Sequence, residues 1–415
     1  MKKKYIIITT VTLVMVITFI TCFNYLKINK IYKEENVNKS MEVAKSISMM
    51  LEQTSGVGDY KIVTQSNWPS GGYKFNSELS RCENDSTLKW DDTKKAIVIS
   101  GNLSDKCYAY FDKIISIADY CTSGTNLATC VKSFGDQGAD ISSIYIHNSS
   151  LTNGAKDNSY RYAGASPNNY VCFGSTASPC PTENLYRIIG VIDDKVKLIK
   201  YDYNTKEQLG TDGDYATWSP DLSGYPNYRG VLNSFNAYYW NSTSKTNVWS
   251  NSSLNKTNLN TNFINYLGTT WANKIATTTW KIGGNTSTNI YSQTPSVAYT
   301  NEITSPAVST TYSAKIGLMY ASDYGFAADP SAWSTVLTSY SQAKDTNWMY
   351  MGFEEWTISR LSESTNFAFN VSKSGSMSAY NVINGNGVRV VFNLESSVTY
   401  ANGHGTKDSP IRIEI

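Results

Sequence analysis

Short apolar runs separated by polar turns follow one another along most of this chain. Residues 60–64, 96–99 and 107–111 are examples in its first third. A clearer pair follows at 185–192 and 196–201, joined by the turn Asp193-Asp194. Runs of this length, rich in β-branched and aromatic residues and bounded by turn residues, predict strands, and the pair predicts a β-hairpin.

The stretch 355–394 shows the same pattern with a polar middle. It begins with Glu355-Trp356-Thr357-Ile358-Ser359-Arg360 and ends in Val388–Leu394, where apolar residues occupy every second position. The middle is rich in Ser, Asn and Tyr, with one turn predicted at Gly375 and another at 384–387. We interpret the two ends as framework strands and the middle as an exposed hairpin.

The N-terminal region shows a different pattern, an uncharged run over 5–26 that follows three lysines. At about 1.5 Å per residue this run would extend roughly 33 Å as a helix, enough to cross a bilayer. A cleaved signal peptide and a lipoprotein signal are the alternatives, but no small-x-small site follows closely and Thr21 is a poor residue before Cys22. We predict a single-pass anchor in the bacterial cell membrane, with the C-terminal part extracellular.

Apolar positions recur at steps of three and four between 37 and 51, which predicts a stalk helix over 27–58 ended by Gly56 and Gly58. A membrane helix, an amphipathic helix and a cysteine-bearing β unit together weakly resemble type IV pilins. The Gly-Phe-Thr-Leu-x-Glu motif of that family is missing here. A pilin-like or scaffolding subunit of the cell surface is therefore the alternative to a separate surface protein.

These patterns predict five segments in an α+β protein. They are a cytoplasmic tip and transmembrane anchor at 1–26, the stalk helix at 27–58, a small disulfide-stapled β domain at 59–112, a helical linker at 113–157 and a C-terminal domain at 158–415. A unit of about 55 residues has a small core, so a covalent staple would contribute much of its stability.

Six of the seven cysteines occur as close neighbours in the sequence. The sequence alone does not select one connectivity. We favour the sequential pairs because each closes a short loop within one local unit, while reduced buried thiols are the alternative. The pairs predicted to form disulfides are Cys82 with Cys107, Cys121 with Cys130, and Cys172 with Cys180.

Composition restricts the classes of function. Charged residues make up 17% of the chain, the formal net charge is +2, and the chain contains 30 Tyr and 10 Trp. A net charge this small indicates no strongly basic surface, so we expect no nucleic-acid partner. With only two histidines, His147 and His404, and no clustered Cys/His spacing, we expect no metal and no other cofactor.

A family resemblance rests on WTISR at 356–360, the polar hairpin after it, and Gly387-Val388-Arg389 before the closing strand. These motifs resemble the end of a C-type-lectin-like domain of the formylglycine-generating-enzyme type, in which a late Trp and an Arg hold the core beneath a ligand-binding face. The chain also resembles surface proteins of low-GC gut bacteria that end in GVRPxF, although Val390 replaces the proline. The resemblance implies a C-type-lectin-like domain over 158–415.

Some relatives of that fold are targets of diversity-generating retroelements, which rewrite the segment before the final strand. The hairpin here carries the residue types of antibody loops, since Tyr gives large contact area and Ser and Asn give adaptable hydrogen bonds. An ordinary solvated hairpin is the alternative. The predicted ligand-binding residues are Asn366, Phe369, Asn370, Ser372, Lys373, Ser376, Ser378, Tyr380, Asn381 and Asn384.

No sequence motif indicates catalysis. The chain lacks a Gly-x-Ser-x-Gly elbow, a Walker loop, HExxH and Gly-x-Gly-x-x-Gly. The carboxylate pairs are sequence neighbours, which does not place them across a cleft as a glycosidase requires. We therefore expect no enzyme and no catalytic residue. The sequence predicts an adhesin-like surface protein that binds an extracellular protein or glycan through the hairpin.

Overall fold

The computed structural model describes residues 47–63, 72–91, 94, 96–101, 105–285, 293–306 and 308–415. They form two compact units, of which the smaller ends at Ile114 and the larger contains Ile115–Ile415. Each unit is described by itself.

The described part of the smaller unit consists of strands. These are β1 (Ile47–Glu52), β2 (Tyr60–Val63), β3 (Tyr73–Cys82), β4 (Thr87–Asp91), β5 (Ala96–Ser100) and β6 (Cys107–Lys113). Four of them form a sheet in the order β2-β1-β6-β3, with β1 parallel to β6, and β4 pairs with β5. The core of this unit forms around Leu51, Ala109 and Phe111.

The predicted stalk helix is wrong where the structure describes it. Residues 47–52 form β1, which pairs with β2 on one edge and with β6 on the other. A stripe of period three and four and an alternation of period two are hard to tell apart over six residues. Sheet pairing decided the outcome, because it satisfies the backbone of β1 on both sides and places Leu51 in the core. Residues 27–46 of the predicted helix lie outside the described residues.

Sixteen strands belong to the described part of the larger unit. They are β7 (Ile144–Ile146), β8 (Tyr160–Tyr162), β9 (Tyr170–Cys172), β10 (Leu185–Ile192), β11 (Lys195–Lys200), β12 (Tyr238–Tyr239), β13 (Thr278–Lys281), β14 (Thr311–Ala314), β15 (Ile316–Gly317), β16 (Glu355–Arg360), β17 (Phe367–Val371), β18 (Met377–Asn381), β19 (Gly385–Asn386), β20 (Val391–Asn393), β21 (Tyr400–Asn402) and β22 (Ile411–Ile413).

A nine-stranded sheet organises this unit. Its main path is β15-β20-β11-β10-β9-β22-β21, and β8 joins it by pairing with both β10 and β7. The strands β16, β17 and β18 form a separate antiparallel sheet, while β12 pairs with β19 and β13 with β14. Buried side chains such as Val171, Ile188, Leu198 and Phe392 come from adjacent strands of the large sheet and form the centre of the main core.

The helices of the larger unit are short. The α-helices are α1 (Leu127–Gly135), α2 (Ala139–Ser142), α3 (Lys206–Leu209), α4 (Ile264–Ala272), α5 (Pro295–Tyr299) and α6 (Ala321–Phe326). Two π-helices span Leu254–Phe263 and Thr300–Thr304. The 3-10 helices are Ile117–Asp119, Thr182–Asn184, Leu222–Gly224, Trp249–Asn251, Pro330–Ala332, Leu337–Gln342 and Lys344–Thr346.

These elements correct the predicted fold class. The described chain is mostly β with few helices, rather than an α+β protein built on long N-terminal helices.

The predicted single-pass anchor is also corrected, and with it the predicted location in the bacterial cell membrane. No helix among the described residues has the length and apolarity needed to cross a bilayer. The run 5–26 that carried this prediction lies outside the described residues.

The segment predicted as a helical linker, 113–157, contributes to the core of the larger unit. Leu127 and Val131 of α1 and Ile144 of β7 are buried in the main core. An amphipathic helix stabilises itself by burying its apolar face, and the neighbouring sheet supplies that partner.

The three predicted disulfides are confirmed. Cys82 pairs with Cys107, Cys121 with Cys130, and Cys172 with Cys180. The first bridge joins facing residues of β3 and β6, and the other two close short segments of the larger unit. Each bridge lies within one unit, as expected for staples that limit the freedom of the unfolded chain locally.

Candidate functional site

A cavity of about 340 Å3 lies beside the β10–β11 hairpin of the larger unit, and we call it the Lys197 pocket. Its volume is at the lower end of the range of small-molecule sites. The β10–β11 hairpin, strand β13 and helix α6 contribute most of its wall. The lining residues are Arg161, Ile192, Asp193, Lys195, Lys197, Thr277, Thr278, Thr279, Trp280, Lys281, Tyr299, Ile303, Tyr320, Ser322, Asp323 and Asn393.

The hairpin turn is determined by its two aspartates. Asp193 and Asp194 have φ angles of 49° and 58°, a left-handed conformation that Asp tolerates better than most residues. Two successive left-handed residues form the tight hairpin turn whose twist matches that of the flanking strands. The turn places Lys195 and Lys197 on one side of the pocket.

Gly190 brings Arg161 to the same pocket. Gly190 faces Arg161 across the β8–β10 pairing, next to an irregularity in the register of β10. A Cβ at Gly190 would lie 2.2 Å from the carbonyl oxygen of Tyr160, a distance that no side chain can have. Only glycine therefore lets β8 approach closely enough to position Arg161.

A second glycine fixes the aromatic wall. The indole Nε1 of Trp280 donates to the carbonyl of Ala314 at 3.1 Å, across the antiparallel pair of β13 and β14. A Cβ at Gly317 would lie 2.7 Å from the Trp280 ring, so the ring packs directly on the backbone there. The hydroxyl of Tyr320 accepts a hydrogen bond from the backbone N–H of Lys281 at 2.8 Å. Trp280 and Tyr320 are thus held in fixed positions.

A buried ion cluster forms the polar part of the pocket. The Nζ of Lys197 lies 2.5 Å from Oδ2 of Asp323, and Nη1 of Arg161 lies 3.2 Å from Oδ1 of the same carboxylate. Arg161 also pairs through Nη2 with Asp157 at 2.9 Å. The side chains of Arg161, Lys197 and Asp323 are between 3% and 6% exposed. Charges at this depth require close partners, which explains why Asp323 is shared by two cations.

Aromatic rings surround both cations. The Lys197 ammonium lies 4.8 Å from the ring centre of Tyr320 and 5.8 Å from that of Trp280. The Arg161 guanidinium lies 5.4 Å from the ring centres of Tyr299 and Phe326. Ring faces attract cations at these distances and exclude water from them.

The pKa shifts follow from burial and pairing. Burial lowers the pKa of Lys197, and Asp323 offsets only part of that effect. Burial would also lower the pKa of Arg161, but Asp157 and Asp323 raise it. Burial would raise the pKa of Asp157, yet Arg161 and its hydrogen-bond donors hold it well below its usual value. Perturbed groups that converge on one cavity are typical of functional sites.

Glu302 supports the start of α6 from behind the pocket. Its carboxylate accepts the backbone N–H groups of Ala321 and Ser322 at 3.2 and 3.1 Å and the hydroxyl of Ser359. Burial raises the pKa of Glu302, although these hydrogen bonds oppose the shift. Glu302 is therefore engaged within the protein and its negative charge is disfavoured.

The rim of the pocket is more exposed. Lys281 and Asp193 are exposed and Lys195 is half-buried. Among the described residues, none of these three side chains has an ion-pair partner. Within the described part of the chain, the positive charges of Lys195 and Lys281 are therefore not paired at the entrance, and the negative charge of Asp193 offsets part of them.

The ten hairpin residues predicted as a ligand-binding face do not form one surface. Neighbouring residues of β17 and β18 point to opposite sides, since Phe369 faces Ala379 while Asn370 faces Ser378. Phe369 and Asn370 are fully buried. The exposed members are Lys373, Tyr380 and Asn384, and the half-buried members are Asn366, Ser372, Ser376, Ser378 and Asn381.

The hairpin turn is tied to the core rather than free. The hydroxyl of Tyr350 donates to the carbonyl of Lys373 at 2.5 Å, and that of Tyr324 donates to the carbonyl of Gly375 at 2.6 Å.

Both amide atoms of Asn370 are buried without a protein partner among the described residues. A buried amide of this kind is usually satisfied by an ordered water.

Sequence reasoning missed the pocket residues. One signal could have indicated them, a lysine inside the apolar run Val196-Lys197-Leu198-Ile199, because lysine is rarely buried without a partner. Its partner Asp323 is 126 residues away in the sequence, so no local pattern links the two.

A metal site was not expected from the sequence. Within the described ranges, no three His, Cys, Asp or Glu side chains are grouped so that they could hold a metal ion. The cations of the Lys197 pocket would in any case repel one. The pocket is therefore suited to a ligand other than a metal.

The resemblance to C-type-lectin-like domains remains a prediction from the motifs at 356–360 and 387–389. The comparisons do not test it. They found no matching family model, no matching curated protein and no matching solved structure.

Proposed function

We propose that this protein is a ligand-binding protein whose larger unit takes a small polar ligand in the Lys197 pocket. One observation carries the proposal: buried charged side chains and aromatic rings converge on a cavity of about 340 Å3. Small-molecule sites place a few fixed polar groups beside apolar and aromatic side chains. Here Arg161, Lys197 and Asp323 lie beside Trp280 and Tyr320, in a wall that is more polar than is usual for such sites.

The energetics of the ion cluster support a binding role. Replacing a buried ion cluster by packed apolar residues is often neutral or stabilising, so such a cluster contributes little to stability by itself. Here Arg161, Lys197 and Asp323 line a cavity instead of filling it. A ligand that contacts them would account for both the cavity and the charges.

The disulfides support a location in an oxidising compartment. Bridges such as Cys121–Cys130 and Cys172–Cys180 persist where thiols are not kept reduced. An extracellular ligand fits this location.

The hairpin at 366–384 remains a second, weaker proposal for a contact with an extracellular protein or glycan. Lys373, Tyr380 and Asn384 are exposed and would supply that surface. The pocket is preferred because its polar groups are preorganised, which lowers the entropic cost of binding. A scaffolding role for the chain and the absence of catalysis both stay predictions from the sequence.

Thermal unfolding of the full chain tests the pocket with a panel of D-glucose, N-acetyl-D-glucosamine, D-glucuronate, L-glutamate and adenosine. A ligand present at about 100 times its Kd stabilises the folded protein by about 2.7 kcal/mol, which raises the melting temperature by roughly 5 °C. We expect at least one compound of the panel to produce such a shift.

A blocked variant locates the binding. Thr279→Trp adds an indole at an exposed strand residue of the pocket wall and should abolish the shift. Thr87→Trp is the matched control, because Thr87 is an exposed strand residue of the smaller unit. A panel without any shift, or a shift that survives in Thr279→Trp, would overturn the proposal.

A further inference from the structure

We infer that the ligand of the Lys197 pocket is a sugar acid, a small polyhydroxylated carboxylate whose anionic group binds the Lys197 ammonium. This inference rests on the proposed function, because it specifies the chemistry of the same pocket. Its first support is the incomplete set of hydrogen bonds at Lys197.

An ammonium group has three N–H donors. At Lys197 one of them is used by Asp323, and no second acceptor lies within hydrogen-bond distance among the described residues. The side chain is only 6% exposed, so bulk water reaches it poorly. Because unsatisfied buried donors are costly, an oxygen atom inside the pocket is expected to complete the set. A carboxylate forms the stronger, charge-assisted bond.

The charge balance of the wall also favours an anion. Four cations line the pocket, Arg161, Lys195, Lys197 and Lys281, against the two carboxylates Asp193 and Asp323. A third carboxylate, Asp157, pairs with Arg161 from outside the lining, so the cations exceed the carboxylates by one. Asp323 is already shared between Arg161 and Lys197. The remaining positive charge raises the local concentration of anions at the entrance.

A zwitterionic amino acid fits this wall less well. Its ammonium would need a buried carboxylate, and Asp323, the buried carboxylate of the described wall, is already engaged by two cations. Asp193 is exposed at the rim, where water screens its charge. The ligand is therefore expected to carry negative charge without a balancing positive group.

The rest of the wall suits hydroxyl groups and one sugar ring. Thr277 and Thr279 offer hydroxyls that both donate and accept hydrogen bonds. The rings of Trp280 and Tyr320 supply the apolar part of the wall. A cavity of about 340 Å3 is at the small end of ligand sites, which favours a monosaccharide over an oligosaccharide.

Calorimetric titration of the full chain with D-glucuronate and with D-glucuronamide tests the inference. The two probes share the ring and the hydroxyls and differ in the charge of one group. We expect D-glucuronate to bind the wild-type protein about 10 to 100 times more tightly, as is typical for a charged rather than a neutral hydrogen bond. Lys197→Met should abolish this preference.

A second variant tests the inference even if Lys197→Met does not fold. Lys281→Gln changes an exposed rim residue and should weaken D-glucuronate binding by roughly two- to fivefold, with a smaller dependence on salt. Lys256→Gln, at an exposed lysine that does not line the pocket, is the control and should bind as the wild type does.

The outcomes separate this inference from the proposed function. If D-glucuronamide binds as tightly as D-glucuronate and Thr279→Trp abolishes both, the pocket binds ligands but the anionic class is wrong. If neither probe binds while a neutral compound of the panel does, the sugar-acid inference alone fails. If no compound binds, or binding persists in Thr279→Trp, both proposals fail.

Discussion

Removing the carboxylate charge of Asp323 should be one of the most damaging single changes in the larger unit. Asp323→Asn leaves the Lys197 ammonium and the Arg161 guanidinium without the anion that they share at 2.5 and 3.2 Å. The new amide hydrogens would also face one of these cations. The Oδ2 atom further accepts the backbone N–H of Tyr320 at 2.9 Å, so the start of α6 loses support as well.

The magnitude follows from burial. Removing one partner of a buried ion pair costs about 3–5 kcal/mol, since an uncompensated charge remains in a low-dielectric site. Asp323 is 3% exposed, so solvent screening reduces this value little. For a unit of this size we expect the melting temperature to fall by roughly 10 °C. Thermal unfolding followed by tryptophan fluorescence measures the change, and Trp280 lies in the same pocket wall.

Asp345→Asn is the matched control. Asp345 also pairs with two cations, Arg229 and Lys344, both at 2.8 Å, but its side chain is 74% exposed. Water replaces the lost interactions there, so this variant should unfold close to the wild-type temperature. If both variants melted at the same temperature, the reasoning from burial would be refuted.

Coupling between the two partners provides a second test of the same reasoning. In a double-mutant cycle, Lys197→Met and Asp323→Asn should show a coupling energy of about 1–3 kcal/mol. The double variant should therefore be more stable than the two single losses added together predict. Strict additivity would mean that the two side chains do not stabilise each other.

Three further changes have defined expectations. Gly317→Ala places a Cβ 2.7 Å from the Trp280 ring and should lower the free energy of unfolding by about 1–3 kcal/mol in urea titrations. Removing the Cys121–Cys130 bridge by a double alanine substitution should cost about 2.5 kcal/mol, as expected for a separation of 9 residues. Burial lowers the pKa of His147 to about 3, so the unfolded chain binds a proton that the folded chain does not. The free energy of unfolding should therefore fall by about 2 kcal/mol between about pH 6.5 and about pH 5.

Each of these expectations has a control. Gly224→Ala meets no atom within 4 Å and should be nearly neutral, so an equal loss at both glycines would contradict the packing argument. The Cys172–Cys180 bridge has a separation of 8 residues and should cost about as much to remove. His147→Gln keeps an acceptor for the backbone N–H of Ala155 but does not titrate, so the loss of stability near pH 5 should disappear. An unchanged pH profile in that variant would assign the loss to other groups.

Local patterns predicted some of the strands of the larger unit. The hairpin formed by β10 and β11 follows from two apolar runs around Asp193-Asp194, because turn chemistry and strand period act over a few residues. The disulfide pairs were predictable for the same reason, since each cysteine bonds a near neighbour in its own unit. The predicted helix over 27–58 was wrong at 47–52 because strand pairing with β6, a segment far along the chain, overrode a short helical stripe.

The sequence did not predict the candidate site. The polar segment around Phe369 and Asn370 predicts that both residues are exposed and bind a ligand. Tertiary packing instead buries both of them. Lys197 lies in a run that predicts only a strand, because the sequence does not show which face of a buried strand borders a cavity.

The sequence by itself therefore determined the β10–β11 hairpin and its tight turn at Asp193-Asp194, and it favoured the three bridges over other connectivities. These features depend mainly on residues close together in the chain. Only the tertiary structure decided that Lys197, Asp323 and Arg161 meet, because they come from β11, α6 and β8. Gly190 permits that meeting, and Gly317 permits the packing of the Trp280 ring, through close backbone approaches that no local pattern encodes. Electrostatic and packing energies depend on distance in space, and the fold alone sets those distances.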